Sequence, residues 1–365
     1  MLALALNCGS SSLKYALFDV GPDGERLVAR ASVDAIGSGV RDHAQAVHAA
    51  FDRLSAAGYR APDAVGHRLV HGGPNRSSPA IVDDALTAEL AALVPFAPLH
   101  LPAELAAVRA VAERWAGLPQ VACFDTSFHR TLSEVAQRYA LPESLVDAGV
   151  RRYGFHGLSY EFVVASVGAR ELGRAVLAHL GNGASMAAVR DGVAVDTTMG
   201  FTPSGGLVMG TRAGDVDPGL AVFLARGGYD AAALDDLFNR RSGLLALSGS
   251  TADVRELLAR RDRDARAALA LEVFAWSARK WVGAMAAAAG GLDSLVFTGG
   301  IGEHAPTVRA DIANGLEHLG VRIDPERNAR GDAVVSPDGA PCRVRVVQTD
   351  EERMIARHVR RLVGP

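Results

Sequence analysis

"LALALNCGSSSLKYALFDV", residues 2–20, returns in outline at residues 177–197 as "LAHLGNGASMAAVRDGVAVDT". In each stretch an apolar run meets a turn of small residues, and a second apolar run follows. In the first, Leu13, Tyr15 and Leu17 alternate with Lys14, Ala16 and Phe18, which is the period of a strand. A Walker-type phosphate loop requires a helix at that point, so the context argues against one. In the second, the run 186–189 reaches an Asp191-Gly192 turn and a third strand. Two such hairpins far apart in the chain point to two related halves.

Outward from the first hairpin, the pattern predicts a helix over 44–58, a strand over 65–70, helices over 85–93 and 103–115, and a strand over 120–124. Between 141 and 153 it turns irregular, with Pro142, Gly149 and two arginines, and a domain boundary is placed there. Beyond the second hairpin, helices are expected over 219–225, 230–239, 251–260, 264–289 and 308–319. Strands are expected over 294–298 and 343–348, and a helix over 352–362 closes the chain. Strand triplets followed by alternating helices and strands indicate an α/β protein.

The chain has 365 residues, and at roughly 100–200 residues per domain two domains are expected. A formal net charge of −3 gives no basis for a nucleic-acid partner or a polybasic membrane surface. Cys8, Cys123 and Cys342 are widely spaced, which argues against a disulfide framework or a zinc site. The start lacks the basic and apolar regions of a signal peptide, and no run is long and apolar enough for a membrane span. A cytoplasmic protein is expected.

Several segments carry the residue types of phosphate chemistry. Asn7 precedes the turn 9–12, where Gly9 permits close backbone approach and serine hydroxyls such as Ser12 suit phosphate oxygens. An ordinary hairpin turn has the same composition. Lys14 adds a charge to that turn or lies on the solvent face of the strand. "GHRLVHGG" presents Arg68, and "CFDTSFH" ends a strand at Asp125, where ligands gather in open α/β sheets. An Asp there serves equally well as a helix N-cap. "RRYGFHGLSY" sets His156 between glycines, as an accessible imidazole or a hydrogen-bonded structural histidine. "TTMGFTPSGGLVMGTRAGDVDPG", residues 197–219, is a long glycine-rich stretch that still holds Met199, Phe201 and Met209. Loops of that length are usually functional or disordered, and the apolar content argues against disorder. Arg212, framed by glycines, suits a fixed guanidinium that stabilises a transferring phosphoryl group. "VFTGGIGEH" reads as strand, turn and helix, an arrangement suited to a nucleotide. In "QTDEERMIAR" the acidic residues at a helix start either complement its dipole or hold Mg²⁺.

Taken with "PLHLP", "HLGNGAS" and "TDEE", these segments resemble the acetate kinase family, in the family's order and over nearly the whole chain. The resemblance implies two duplicated actin-like (ribonuclease H-like) βββαβαβα domains with a central nucleotide cleft, and a homodimer. It divides the chain into domains 1–150 and 151–351, with the C-terminal helix 352–365 joining the first. The implied reaction is reversible transfer of the ATP γ-phosphoryl group to acetate, or another short-chain carboxylate, with Mg²⁺ (or Mn²⁺) and ATP/ADP. Carried to matching positions, Arg68, Asp125, His156 and Arg212 are catalytic. Arg68, Val70, Leu99, Phe155 and Pro203 bind the acceptor. Ser12, Lys14, His179, Asn182, Gly183, Asp253, Val254, Arg255, Gly299, Gly300, Ile301, Gly302 and His304 bind the nucleotide. Asn7 and Glu351 serve the metal.

The chain departs from the family pattern at Leu101, where Asn is usual, at Val254, where an aromatic is often seen, and at His304 and Asp350, where Asn is common. The loop after "HGGP" is terse. Val254 and His304 fall near the expected adenosine site, so they bear on donor preference. Two other readings stand beside the first: a propionate or butyrate kinase with a roomier pocket, and an actin-like nucleotide-binding regulator. The second would leave Arg68, His156 and Arg212 without a task.

Overall fold

Alternation along the opening strand sends its side chains to two separate cores. The computed structural model describes residues 1–9, 12–98 and 100–364. β1 (Leu2–Cys8), β2 (Leu13–Gly21) and β3 (Gly24–Val33) form an antiparallel meander. Leu4, Leu6 and Cys8 pack with Leu13, Tyr15 and Leu17 against the helices His43–Ala56 and Leu101–Arg114. Ala3, Ala5, Ala16 and Phe18 face the C-terminal helix Glu351–Val363 through Ile355 and Val359. Small residues on that face let the helix lie close. A Cβ on Gly66 would stand 2.2 Å from Ile355 Cγ2. β4 (Ala64–Leu69) and β6 (Gln120–Phe124) extend the sheet in parallel, and the short β5 (Ala80–Ile81) caps its edge, giving the order β3-β2-β1-β4-β6-β5.

The second sheet repeats the grammar. β7 (Arg174–Leu180), β8 (Ala184–Arg190) and β9 (Val193–Thr197) form a meander, and β10 (Ser294–Thr298) and β11 (Arg343–Val346) join β7 in parallel. The order is β11-β10-β7-β8-β9. Helix Ala265–Ala289 packs along β7, β8 and β9, and its buried stripe includes Leu271, Phe274, Ala278, Val282 and Met285. Asp264 caps its start and Gly290, in the left-handed region, its end.

The chain forms two compact units. One comprises Met1–Arg130, Phe155–Phe162 and Asp350–Pro365, and the other Thr131–Gly154 and Val163–Thr349. The expected division at 150, with helix 352–365 rejoining the first domain, crosses between units twice; the observed path returns the C-terminal helix to the first unit but crosses four times, at 130, 154, 162 and 349. The segment 131–154 belongs with the second unit because it is anchored there. Tyr153 N–H donates to Gly200 O at 3.0 Å, Arg152 Nη1 to Thr197 O at 3.1 Å, and Phe201 N–H to the Tyr139 hydroxyl at 2.8 Å. Element ends also shift from expectation. The helix expected over 308–319 is Pro306–Ala313 followed by a short 3-10 turn, and the one expected from 251 begins at Val254. Helices Gly157–Val167 and Gly243–Ser248 lacked a clear period in the sequence.

Candidate active site

In the first unit, the carboxyl ends of three neighbouring strands converge on one arginine. Arg68, near the end of β4, donates from Nε and Nη2 to Asp125 Oδ2 at 3.0 and 2.5 Å. Its Nη1 reaches Asn7 Oδ1 on β1 at 3.2 Å. The Asn7 amide nitrogen donates to Glu351 Oε2 at 3.0 Å and to Glu352 Oε1 at 3.1 Å. Asn7, expected to serve the metal, also forms a bridge: its oxygen accepts from Arg68, and its nitrogen donates to two carboxylates. Asp125 is fully buried, and its Oδ1 has no hydrogen-bond partner among the described residues. A buried carboxylate oxygen left open in this way is suited to a cation or a substrate donor.

The electrostatics follow from burial. Burial alone would lower the Arg68 pKa, but the Asp125 and Glu351 carboxylates beside it raise it. Burial, reinforced by Asp125 and Glu352, lifts the Glu351 carboxyl to about 7. Burial also lifts Glu104 to about 8, and its Oε2 accepts from Val70 N–H at 2.9 Å. The Cys8 thiol is pushed up to about 12 by burial, so it is no thiolate nucleophile.

Around this cluster the backbone is held tightly. Gly72 N–H donates to Thr126 Oγ1 at 3.1 Å, and Gly73 N–H to His71 Nδ1 at 2.8 Å. The His71 ring lies 5.8 Å from that of Phe155, which is buried, as is Val70. His156 has φ +60, a left-handed conformation uncommon for residues with a side chain. Gly157 beside it has no room for a Cβ, which would stand 2.1 Å from Asp125 O. Strain of this kind accumulates at functional sites. Ser12 closes the first turn by accepting from Gly9 N–H at 2.8 Å through its carbonyl. Lys14 is exposed on β2, in register with Asn7 and Ser32. Leu99 lies outside the described residues, as do Ser10 and Ser11.

In the second unit, Asn182, Asp253, Val254, Arg255, Gly300, Ile301 and His304 of the expected nucleotide residues gather at one pocket, while His179, Gly183, Gly299 and Gly302 do not line it. It has a volume of about 450 Å³ and is lined by Asn182, Asp253, Val254, Arg255, Ile301 and His304, with Gly181 and Gly300 in its floor. Arg255 grips Asp253 with both ends, at 3.1 and 2.6 Å, and holds that carboxyl down to about 2. Gly300 has open space where a Cβ would sit. Gly299 and Gly302 act differently. A Cβ on Gly299 would stand 2.8 Å from Leu180 O, whereas one on Gly302 would make ordinary contact with Phe297 at 3.4 Å. Gly299 lets the turn lie against the strands, and neither glycine lines the pocket. His179 is half-buried on β7, paired in register with Ser185 and Thr298. Gly183 O accepts from Gly181 N–H at 3.0 Å and closes the second hairpin.

The loop 198–217 contains no helix or strand, yet it is fixed by its own polar groups. Gly206 N–H donates to Asp215 Oδ1 at 2.7 Å, Gly210 N–H to Asn182 O at 3.0 Å, and Ser242 N–H to Thr211 O at 3.0 Å. Met199, Leu207 and Met209 are buried beneath it. Arg212 Nη1 donates to Pro203 O at 2.9 Å, which ties the expected catalytic arginine to the expected acceptor-pocket proline.

No three His, Cys, Asp or Glu side chains among the described residues form a ready-made metal cage. Mg²⁺ is usually held by one or two carboxylates, water and substrate phosphates, so the open Asp125 oxygen and the Glu351–Glu352 pair fit it as hard oxygen donors. Glu352 and Glu104 were not singled out from the sequence. Glu104 had a detectable signal, a carboxylate on the apolar stripe of Leu101, Leu105 and Val108.

A family model described as the acetokinase family matches residues 31–357. The chain is 45% identical to the acetate kinase of Arthrobacter sp. (strain FB24), over 98% of this chain and 97% of that one. It is 46% identical to the acetate kinase of Micrococcus luteus, over 98% of both. Among solved structures, the acetate kinase of Porphyromonas gingivalis superimposes with a TM-score of 0.89 at 38% identity, covering 99% of both chains. A propionate kinase from Francisella tularensis gives 0.89 at 33% identity with the same coverage.

Proposed function

The chain belongs to the acetokinase family, and we propose that it is an acetate kinase, transferring the γ-phosphoryl group of ATP to acetate to give acetyl phosphate and ADP, reversibly. A carboxylate oxygen of acetate forms the new bond to phosphorus as the bond to the ADP oxygen breaks. Acetate is already ionised near pH 7, so its attack requires no general base. The work of the protein is to bring two anions together and to hold them in line.

The observation that carries this reading is the half-buried Arg68, fixed by the buried Asp125 and by Asn7 with no activated nucleophile beside it. Such a guanidinium suits an acceptor carboxylate or phosphoryl oxygens. Arg212, held by Pro203 O, supplies the second positive charge for the phosphoryl group. His156 donates a hydrogen bond to the same group. Val70 and Phe155 in the first unit would border the acceptor methyl, and the pocket at Asp253, Val254, Ile301 and His304 in the second takes the adenosine. Asn182 and Gly183 lie along the phosphates. Glu351 and Asp125 would hold Mg²⁺, aligned by Asn7, and the ion would neutralise phosphate charge.

We further place the protein in the cytoplasm as a homodimer. Its three cysteines are unpaired and buried, and no helix among the described residues is long and apolar enough to cross a membrane. Helix Pro218–Arg226 exposes Leu220, Val222 and Phe223, with Val216 and Tyr229 nearby, a patch suited to a second copy.

Hydroxylamine trapping of the product from Mg-ATP and acetate tests the reaction, and an acyl hydroxamate is expected. No hydroxamate with any nucleotide donor would overturn the reading. Comparing kcat/KM for acetate, propionate and butyrate separates the family's acceptors, with acetate expected to lead.

A further inference from the structure

One carboxylate in the second unit holds two backbone segments that the sequence keeps far apart. Glu303 Oε1 accepts from Gly299 N–H at 2.9 Å and from Thr349 N–H at 3.0 Å. Gly299 is the first residue beyond β10 and opens the turn whose Gly300, Ile301 and His304 line the pocket. Thr349 follows β11, the parallel neighbour of β10, and Val347 N–H extends that pairing to Phe297 O at 2.9 Å. Two residues further along the chain is Glu351, the first residue of the C-terminal helix.

The Glu303 side chain is only 9% exposed, and its backbone is pinned as well. The buried Arg309 donates from Nη1 to Gly302 O at 2.8 Å and to Glu303 O at 2.9 Å. Arg309 is itself fixed by Asn328, through Oδ1 and O, both at 2.8 Å. The turn is therefore held at its start by a carboxylate and at its end by a guanidinium. A helix-capping role would account for the bond to Gly299 N–H. It would not account for the bond to Thr349 N–H, which lies outside that helix.

We infer that Glu303 is a positioning residue that sets the nucleotide turn and the approach to the metal-binding Glu351 with one oxygen atom. The inference rests on the proposed kinase reaction and on Glu351 as a metal ligand. Its consequence is that the benefit Mg²⁺ brings to nucleotide binding depends on Glu303. Residues that orient metal ligands typically change metal affinity about 10- to 100-fold when lost.

The test is ADP affinity by calorimetry, with Mg²⁺ and without metal. The ratio of the two dissociation constants is the contribution of the ion. Glu303→Ala is expected to reduce that ratio about tenfold. Glu303→Gln, whose amide oxygen accepts the same two bonds, should recover most of it. Glu303→Asp keeps the charge but shortens the reach by one methylene, and it should behave like Glu303→Ala even if the alanine variant folds poorly. In a Glu351→Ala background, Glu303→Ala should leave the ratio unchanged, since the two act through one path. Equal weakening of ADP binding with and without Mg²⁺ would mean a helix cap only and would overturn the inference. A Glu303→Gln variant as defective as Glu303→Ala would overturn it too. Hydroxamate formation by the wild type in the same buffer judges the reaction separately, because the binding ratio does not depend on turnover.

Discussion

In the first unit, β1, β4 and β6 run parallel, and their carboxyl ends carry Asn7, Arg68 and Asp125. In the second, β7, β10 and β11 stand in the same relation, and the chain leaves them through Gly181-Asn182, Gly299-Gly300 and Thr349. The first set is charged, buried and cross-linked by short hydrogen bonds. The second is glycine-rich and borders a pocket of about 450 Å³. One topology thus supports two kinds of surface. Where side chains fill the strand ends, fixed charge is presented. Where glycine replaces them, the backbone itself is presented and a larger ligand has room. The fold supplies the place, and the residues at the strand ends supply the chemistry.

Removing the charges should produce the largest effects. Arg68→Ala and Arg212→Ala are each expected to lower kcat on the order of 10²-fold or more in the hydroxamate assay. Arg68→Ala should also cost about 3–5 kcal/mol in chemical denaturation, because it strands the fully buried Asp125. Arg212 donates to the backbone oxygen of Pro203 rather than to a buried carboxylate, so its loss should cost less stability. Equal destabilisation by the two variants would break the contrast between the packed cluster and the open loop.

Glu104 sharpens the contrast through pH. Burial raises its carboxyl from 4.5 to about 8. A raised carboxyl pKa favours the folded state most below the unfolded value and loses that contribution as pH rises through the folded one. Unfolding free energy should therefore fall between about pH 5 and 9 relative to Glu104→Gln, by on the order of 4 kcal/mol. Parallel pH curves for the two proteins would refute this.

The smallest effects come from single methyl groups. Gly66→Ala drives a Cβ to 2.2 Å from Ile355 and should cost about 1–3 kcal/mol. Gly300→Ala meets no atom within 4 Å, so its melting temperature should stay near wild type while the ATP KM rises. A large loss of stability in Gly300→Ala would show that the second set of strand ends is as tightly packed as the first.

Much of this was legible in the sequence because it is local. Alternation at 13–18 marked a strand after the first turn, and Gln120–Phe124 and Ser294–Thr298 were read with the bounds they have. The glycine-framed Arg212 and the Asp125 that ends a strand stood out by spacing. Glu104 and Glu303 did not, because their importance lies in burial and in partners 34 and 46 residues away. The placement of 131–154 was equally invisible, since it depends on hydrogen bonds from Tyr153 and Arg152 to residues near 200.

The sequence by itself determined the paired hairpins, the α/β class and the family. Each of these is written in periodicities of two and 3.6 and in short contiguous motifs. Only the tertiary structure decided that Asn7 bridges Arg68 to Glu351 and Glu352, that Gly299 makes room while Gly300 lines the pocket, and that one Glu303 oxygen serves two segments. Those assignments depend on which donors and acceptors meet across the fold. Hydrogen bonds act over about 3 Å, a distance that chain separation does not encode.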